Sequence, residues 1–335
     1  MTLPVLPARL LLTLALASAA IVPARAYLKL GTVINGRTET ARWGTQPIRY
    51  FINDDEVPGV SADEFKAAVA QGLSAWQAVP SAAVRFEFAG FTSASPLDAD
   101  GMSTMGFHAR ADLDRTLAAT EFLVDTTTGE ILESDVFFNA SFPWSTAPGG
   151  TPNRFDVQSI ATHEGGHFVG LGHSALGETE MSAGSRRLIA AGAVMFPIAF
   201  SGGDISGRTL RPDDVAGLSD IYPATTFRNG TGSLQGHVTK AGQGVFGAHV
   251  VAFNVATGDL VAGFTLDSAG AFVVAGLAPG IYVVRVEPLD DGDVSGFFDG
   301  TTPVDADFRP AFYDTLVTIS AGAGSSMINL AVSRK

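Results

Sequence analysis

Eleven residues constrain this chain more than any others: His163-Glu164-Gly165-Gly166-His167-Phe168-Val169-Gly170-Leu171-Gly172-His173. Two histidines four apart on a helix project to the same side, one turn from each other, close enough to grip one metal ion. Glu164 follows the first of them on an adjacent part of that side, where it can reach a metal-bound water without occupying the metal. Gly170 lets the backbone leave the helix in a left-handed conformation, so that the chain can turn back and deliver His173 as a third ligand. Three protein ligands leave a fourth position for water, which is the open geometry of a catalytic rather than a structural zinc. The competing reading is a helix whose histidines are only satisfied polar groups. Gly165 and Gly166 speak against it, because each costs a helix about 1 kcal/mol relative to alanine. Something other than helix stability must justify them, and a metal would.

A pattern of this kind needs a folded scaffold, and the 335 residues supply one: 46% of them are apolar and 16% charged, enough for a real core and for two domains. The helix carrying the histidines has Asn153 or Asp156 as its candidate cap, and Val157, Ala161, Gly165 and Phe168 as its interior face. Upstream, Ser61-Ala62-Asp63-Glu64 is a capping box flanked by Val60 and Phe65 at staple positions. Phe65, Val69, Leu73 and Trp76 then follow at helical spacing, so this helix lays one face on a sheet. Strands are expected at Pro47–Asn53 and Val84–Phe88, and a hairpin turns at Thr126-Thr127-Thr128-Gly129. A last helix begins near Pro212, with Asp213 and Asp214 in the first turn, where the dipole favours them, and Val215, Leu218 and Ile221 as its buried stripe.

The two ends of the chain differ from this middle. Arg9, the apolar stretch from Leu10 to Val22 and Ala24-Arg25-Ala26 read as an export signal cut after Ala26. The stretch is shorter than the ~20 residues a membrane span needs, so no transmembrane segment is expected. Secretion or a periplasmic location follows as an expectation. From Ala224 to Ser233 the composition turns to Thr, Asn, Gly and Ser, and seven short strands with Gly-rich turns follow, the pattern of a β-sandwich. There is no cysteine, which excludes a thiol nucleophile and cysteine-ligated zinc. A formal net charge of -13 offers no basic patch for nucleic acid.

The run His163 to His173 resembles the zinc signature of the metzincin metallopeptidases, and Ser174 directly after it is similar to the matrixin branch. Ala193-Val194-Met195-Phe196-Pro197 resembles the family's Met-turn, and Arg211-Pro212-Asp213-Asp214-Val215-Ala216-Gly217-Leu218 the start of its C-terminal helix. Arg42-Trp43 and the Trp76 helix resemble the opening of the same domain. The resemblance implies an α+β fold, a twisted five-stranded sheet with three helices, followed here by an all-β sandwich. It implies one catalytic Zn2+ on His163, His167 and His173, Glu164 as general base, Met195 beneath the metal, and a protein or peptide substrate lying along the edge strand. Only His108 stands where many matrixins place three histidines and an aspartate for a second, structural zinc. Asp98, Asp100 and Asp135 are candidate Ca2+ ligands, with solvated loop carboxylates as the plainer reading. The segment from Ser174 to Gly192 is longer than its matrixin equivalent and adjoins the pocket for the residue after the cut.

Gly247-Ala248-His249-Val250, Asp267-Ser268-Ala269-Gly270-Ala271-Phe272 and Gly276-Leu277-Ala278-Pro279-Gly280-Ile281-Tyr282 resemble a carboxypeptidase-regulatory-type sandwich. These are turn and core residues, so they imply fold and no chemistry, and His237 and His249 read as plain strand residues. The organisation expected is therefore an export signal over 1–26, a matrixin-like unit over 27–225, a linker over 226–232 and a sandwich over 233–335. A secreted binding or adhesion protein that keeps the zinc fold without turnover is the alternative, and a structural zinc protein a third. The intact Glu164 disfavours the first of these and the open three-ligand site the second. The sequence leaves substrate, cleavage preference and oligomeric state open.

Overall fold

The computed structural model describes residues 10–12, 28–34, 37–182, 185–289 and 303–335. The expected signal and its cut after Ala26 lie outside the described residues, apart from Leu10–Leu12. Those three residues are extended and pair antiparallel with Ala118–Val124.

Five longer strands form a mixed sheet: β1 (Ile48–Asn53), β2 (Phe86–Thr92), β3 (Thr104–His108), β4 (Ala118–Val124) and β5 (Ile131–Asn139). Their order is β4-β5-β3-β1-β2, with Leu10–Leu12 outside β4 as a sixth strand. Only β4 runs antiparallel to its strand neighbour in the five; the others are parallel. The expected strand at Val84–Phe88 begins two residues later and runs on through Gly90, where β1 and β2 shift register.

Helix α1 (Ala62–Gln77) starts at the Ser61–Glu64 capping box, and Phe65, Val69, Leu73 and Trp76 are buried on its inner side. Phe65 stacks at 4.6 and 4.9 Å, ring centre to ring centre, on Phe107 of β3 and Phe138 of β5. Aromatic area of this kind dominates a core. Helix α2 (Val157–Phe168) crosses the same face next to α1. Asp156 is its cap, accepting from Ser159 N–H at 2.8 Å, and Arg208 closes on the same carboxylate at 2.6 and 2.9 Å. Asn153, the other candidate cap, instead takes a turn with φ of 61°.

Helix α3 (Pro212–Ile221) is buried more fully than one stripe would require: Ala216, Gly217 and Ser219 are covered as well as Leu218 and Ile221, while Val215 is only half-buried. The cause is the rest of the chain, which covers its other side. Where a linker was expected, one helical turn (Phe227–Gly230) buries Phe227. Between α2 and α3 two strands, β6 (Gly177–Ser182) and β7 (Ser185–Ala191), pair antiparallel. Beyond the helical turn lie a four-stranded sheet around β8 (Gly232–Lys240) and β11 (Ala271–Leu277), and a five-stranded sheet built on β9 (His249–Asn254), β10 (Leu260–Phe264) and β12 (Gly280–Glu287). Gly276 in β11 sits so close to Ala216 of α3 that a Cβ there would lie 2.9 Å from the Ala216 methyl. Among the described residues no helix is long and apolar enough to cross a membrane.

Candidate metal centre

The metal centre begins with two glycines. A Cβ on Gly166 would collide with Met195 Sδ and stand 2.8 Å from the Trp76 ring, and one on Gly165 would press on Leu73 and Trp76 at 3.1 Å. Trp76 also donates its indole N–H to Thr162 O at 2.7 Å. The glycines are thus explained by packing: they let α2 settle directly onto α1 and onto Met195, which is 2% exposed. Sequence reasoning assigned their cost to a metal, and the structure assigns it to close helix contact beneath the histidines.

The helix ends as the pattern requires. Gly170 has φ of +97°, a conformation that strains any residue with a Cβ, and its amide donates to His167 O at 2.7 Å. The chain then reverses, pinned by Gly172 N–H to Leu28 O and Leu30 N–H to Gly170 O at 2.7 and 2.9 Å. This reversal brings His173 back over α2. Ring nitrogens of His163, His167 and His173 all lie within 4.8 Å of one another, and Nε2 of His167 is 3.2 Å from Nε2 of His173. Two ligands on one zinc ion, each bonded at about 2.0–2.1 Å, stand roughly that far apart. His163 Nδ1 lies 2.7 Å from Val194 O and His167 Nδ1 lies 2.8 Å from Leu171 O. A carbonyl can only accept, so those nitrogens carry the protons and each Nε2 keeps its lone pair for the centre. Burial also lowers the pKa of both rings, in His167 well below the usual value with the other two histidines adding to the effect. Neutral imidazoles are what a metal needs, and the donor set fits zinc.

Glu164 is 5% exposed, and its carboxylate accepts from the Thr120 hydroxyl at 2.7 Å. Burial pushes this carboxyl up to about 7, with the Thr120 bond pulling the other way. Such a group can take and return a proton near neutral pH.

Below the histidines, Ser174 N–H donates to Met195 O at 2.9 Å, which ties the third histidine to the Met195 loop. That loop is held in turn by Asp214, whose carboxylate accepts from Val194, Met195 and Arg211 amides at 2.8, 3.1 and 2.8 Å. Asp213 accepts from Ser174 Oγ at 2.7 Å and from the amide of Ala262 in β10 at 2.9 Å. Burial raises these carboxyls to about 7 in Asp213 and about 6 in Asp214. Sequence reasoning placed the two aspartates at a helix dipole and missed their role as buried acceptors. One signal was available: Asp214 lies four residues before Leu218, on the stripe assigned to the core. Thr120 carried no signal, since a threonine is unremarkable in a strand.

Among the described residues, the three histidines are the only set of three or more histidine, aspartate or glutamate side chains gathered this closely. Asp98, Asp100 and Asp135 form no such set. Asp135 accepts from Thr104 N–H at 2.7 Å, and the Asp100 amide donates to Glu133 at 2.9 Å.

Comparison with known proteins agrees with this geometry. The matrixin family (Peptidase M10) matches residues 42–223. Metalloendoproteinase 1 of Glycine max is 27% identical over 198 residues, 54% of this chain and 52% of that protein. Metalloendoproteinase 5-MMP of Arabidopsis thaliana is 37% identical over 78 residues, 23% of this chain and 17% of that protein. The chain therefore spans about half the length of the first relative and less of the second. The family match covers more than half of the chain and contains the histidines, Glu164, Met195 and the α3 carboxylates, so this chain belongs to the matrixin family of metallopeptidases.

Proposed function

We propose that this chain is an exported zinc-dependent endopeptidase. The observation that carries the reading is the convergence of three imidazoles beside a buried carboxylate that the Thr120 hydroxyl orients. His163, His167 and His173 would hold the ion, with Met195 packed beneath their helix. Bound there, zinc supplies an acidified water and a polarised scissile carbonyl. Glu164 accepts the proton from the attacking water and returns it to the leaving amine. Thr120 fixes where the carboxylate points.

A substrate would lie extended along β4, whose outer edge is the side on which Leu10–Leu12 pairs in this chain. Once an export signal has been cut away after Ala26, that edge is free to hydrogen-bond a second extended chain. The composition of residues 1–26 supports export to the periplasm or the medium. Residues 233–335 read as a separate β-sandwich attached to the peptidase unit through α3. The alternative of a binding protein without turnover is disfavoured by Glu164, a carboxylate that a non-catalytic zinc fold has no reason to keep buried beside the three histidines.

The test is metal removal. Dialysis of the mature chain against a chelator should abolish cleavage of a mixed peptide library, and stoichiometric zinc should restore it. Cleavage that survives a metal content below detection would overturn the proposal.

A further inference from the structure

Past the end of α2 the chain runs Gly170-Leu171-Gly172, and two of the three histidines depend on where these residues sit. The Leu171 carbonyl lies 2.8 Å from His167 Nδ1, and Gly172 leads directly into His173. A Gly-Leu-Gly strand specifies its own pairing poorly, because two of its three positions have no side chain to fix a register. Something outside it must do so.

Residues 28–30 supply the partner. Lys29 bridges Leu171 antiparallel, Gly172 N–H donates to Leu28 O at 2.7 Å, and Leu30 N–H donates to Gly170 O at 2.9 Å. The Leu30 carbonyl accepts in turn from Ala41 N–H at 2.7 Å. Lys29 is the one charged residue of the three, and its ammonium pairs with the Asp220 carboxylate on α3. Both side chains are covered, at 4% and 13% exposure.

A lysine is rarely buried unless it is paired. A buried ion pair is weak evidence for stability, and its best-attested use is to fix a register. Sliding residues 28–30 by one position would turn Lys29 to the opposite face, away from Asp220, and carry the Leu28 carbonyl away from Gly172. Helix α3 therefore reaches the metal centre twice. Asp214 holds the Met195 loop beneath the histidines, and Asp220, through Lys29, holds the loop that leads into His173.

We propose that Lys29 is a positioning residue of the metal centre. It acts through residues 28–30 to set His173 and the Leu171 carbonyl that orients His167, and it touches neither substrate nor metal. The inference rests on the zinc reading of the site and deepens it.

The experiment compares the mature chain with Lys29→Met, Lys29→Arg and Asp220→Asn. Zinc affinity is measured by competition with a chromogenic chelator, and ligand geometry by the visible absorption of cobalt bound in place of zinc. Lys29→Met should bind zinc about tenfold more weakly or worse, the loss typical of removing support from behind a ligand, and should alter the cobalt spectrum. Lys29→Arg keeps a cation for Asp220 and should recover most of the affinity. A Lys29→Met chain that unfolds more easily yet binds both metals as the parent does would overturn the proposal, because the pair would then be structural only. If Lys29→Met does not fold, Asp220→Asn, which leaves an acceptor for the ammonium, should still weaken zinc binding about threefold. Parental affinity in that variant would overturn the proposal as well. A parent that binds no zinc would fail the zinc reading instead, and amide exchange in the metal-free chains then decides. The Gly172 N–H should exchange about tenfold faster in Lys29→Met than in the parent, and equal rates would overturn the positioning role.

Discussion

Helices α2 and α3 both bury polar side chains near the same point, and they use them in opposite ways. On α3 each aspartate has its oxygens taken up: Asp214 by three backbone amides, Asp213 by Ser174 and the Ala262 amide. On α2 the rings of His163 and His167 use one nitrogen each on a carbonyl and turn the other to a shared centre, and among the described residues the Glu164 carboxylate is bonded to Thr120 alone. Buried polar groups are normally satisfied. A site is marked by the ones whose remaining valence is left pointing at one place. α3 is a mount, and α2 holds what is mounted.

The sharpest way to break this contrast is at Asp214. Asp214→Ala leaves three amides of the Met195 loop and the α3 start without their acceptor, and should cost about 4 kcal/mol in chemical denaturation or prevent folding. Asp214→Asn keeps an acceptor oxygen and should lose less. A near-neutral alanine variant would show that α3 is not the mount.

Outside both helices, Asp135 provides a control for burial without function. Burial raises its carboxyl to about 8, with Glu133, Asp100 and Glu121 nearby adding to the effect and the Thr104 amide opposing it. The folded state therefore holds a proton that the unfolded chain releases near its ordinary value of 3.8. Stability should fall as pH rises from about 4 to 8 on this account. Asp135→Asn should flatten that slope and add about 2 kcal/mol at pH 8, read from denaturation curves at several pH values. A destabilised asparagine variant at pH 8 would reverse the assignment.

Gly166→Ala tests the packing account of α2. Alanine would gain roughly 1 kcal/mol of helix propensity and lose more to the collision with Met195 and Trp76, for a net cost of about 1 to 2 kcal/mol. Stabilisation would mean the glycine is kept for another reason. The mildest change is Thr120→Val, which removes only the hydroxyl that orients Glu164. We expect kcat to fall about tenfold with KM little changed, and Thr120→Ser to restore most of it. An unchanged kcat would leave Thr120 without a part in the proposed mechanism.

What could be read from the sequence followed sequence distance. The α1 capping box, the α2 inner face and the αL exit at Gly170 are settled by residues within a few positions of each other, and each was legible. The gathering of the three histidines was legible for the same reason, since all lie within eleven residues. Thr120 meets Glu164 across 44 positions, Asp213 meets Ser174 across 39, and Asp214 meets Val194 across 20. No local periodicity encodes such pairings. The cover on α3 was hidden likewise, because Ala216 and Gly217 became interior only when distant strands packed on them. The two glycines of α2 are visible in the sequence, but their cause is not, because Trp76 lies some ninety positions upstream and Met195 about thirty downstream.

Zinc content measured beside cleavage of a mixed peptide library, for the mature chain and its Glu164→Gln variant, reads the metal centre and its base separately. About one zinc per chain is expected in both, with cleavage by the parent alone, because the substitution removes the proton acceptor and spares the three imidazoles. A folded parent without zinc, or a Glu164→Gln chain that cleaves at the parental rate, would contradict the proposed function.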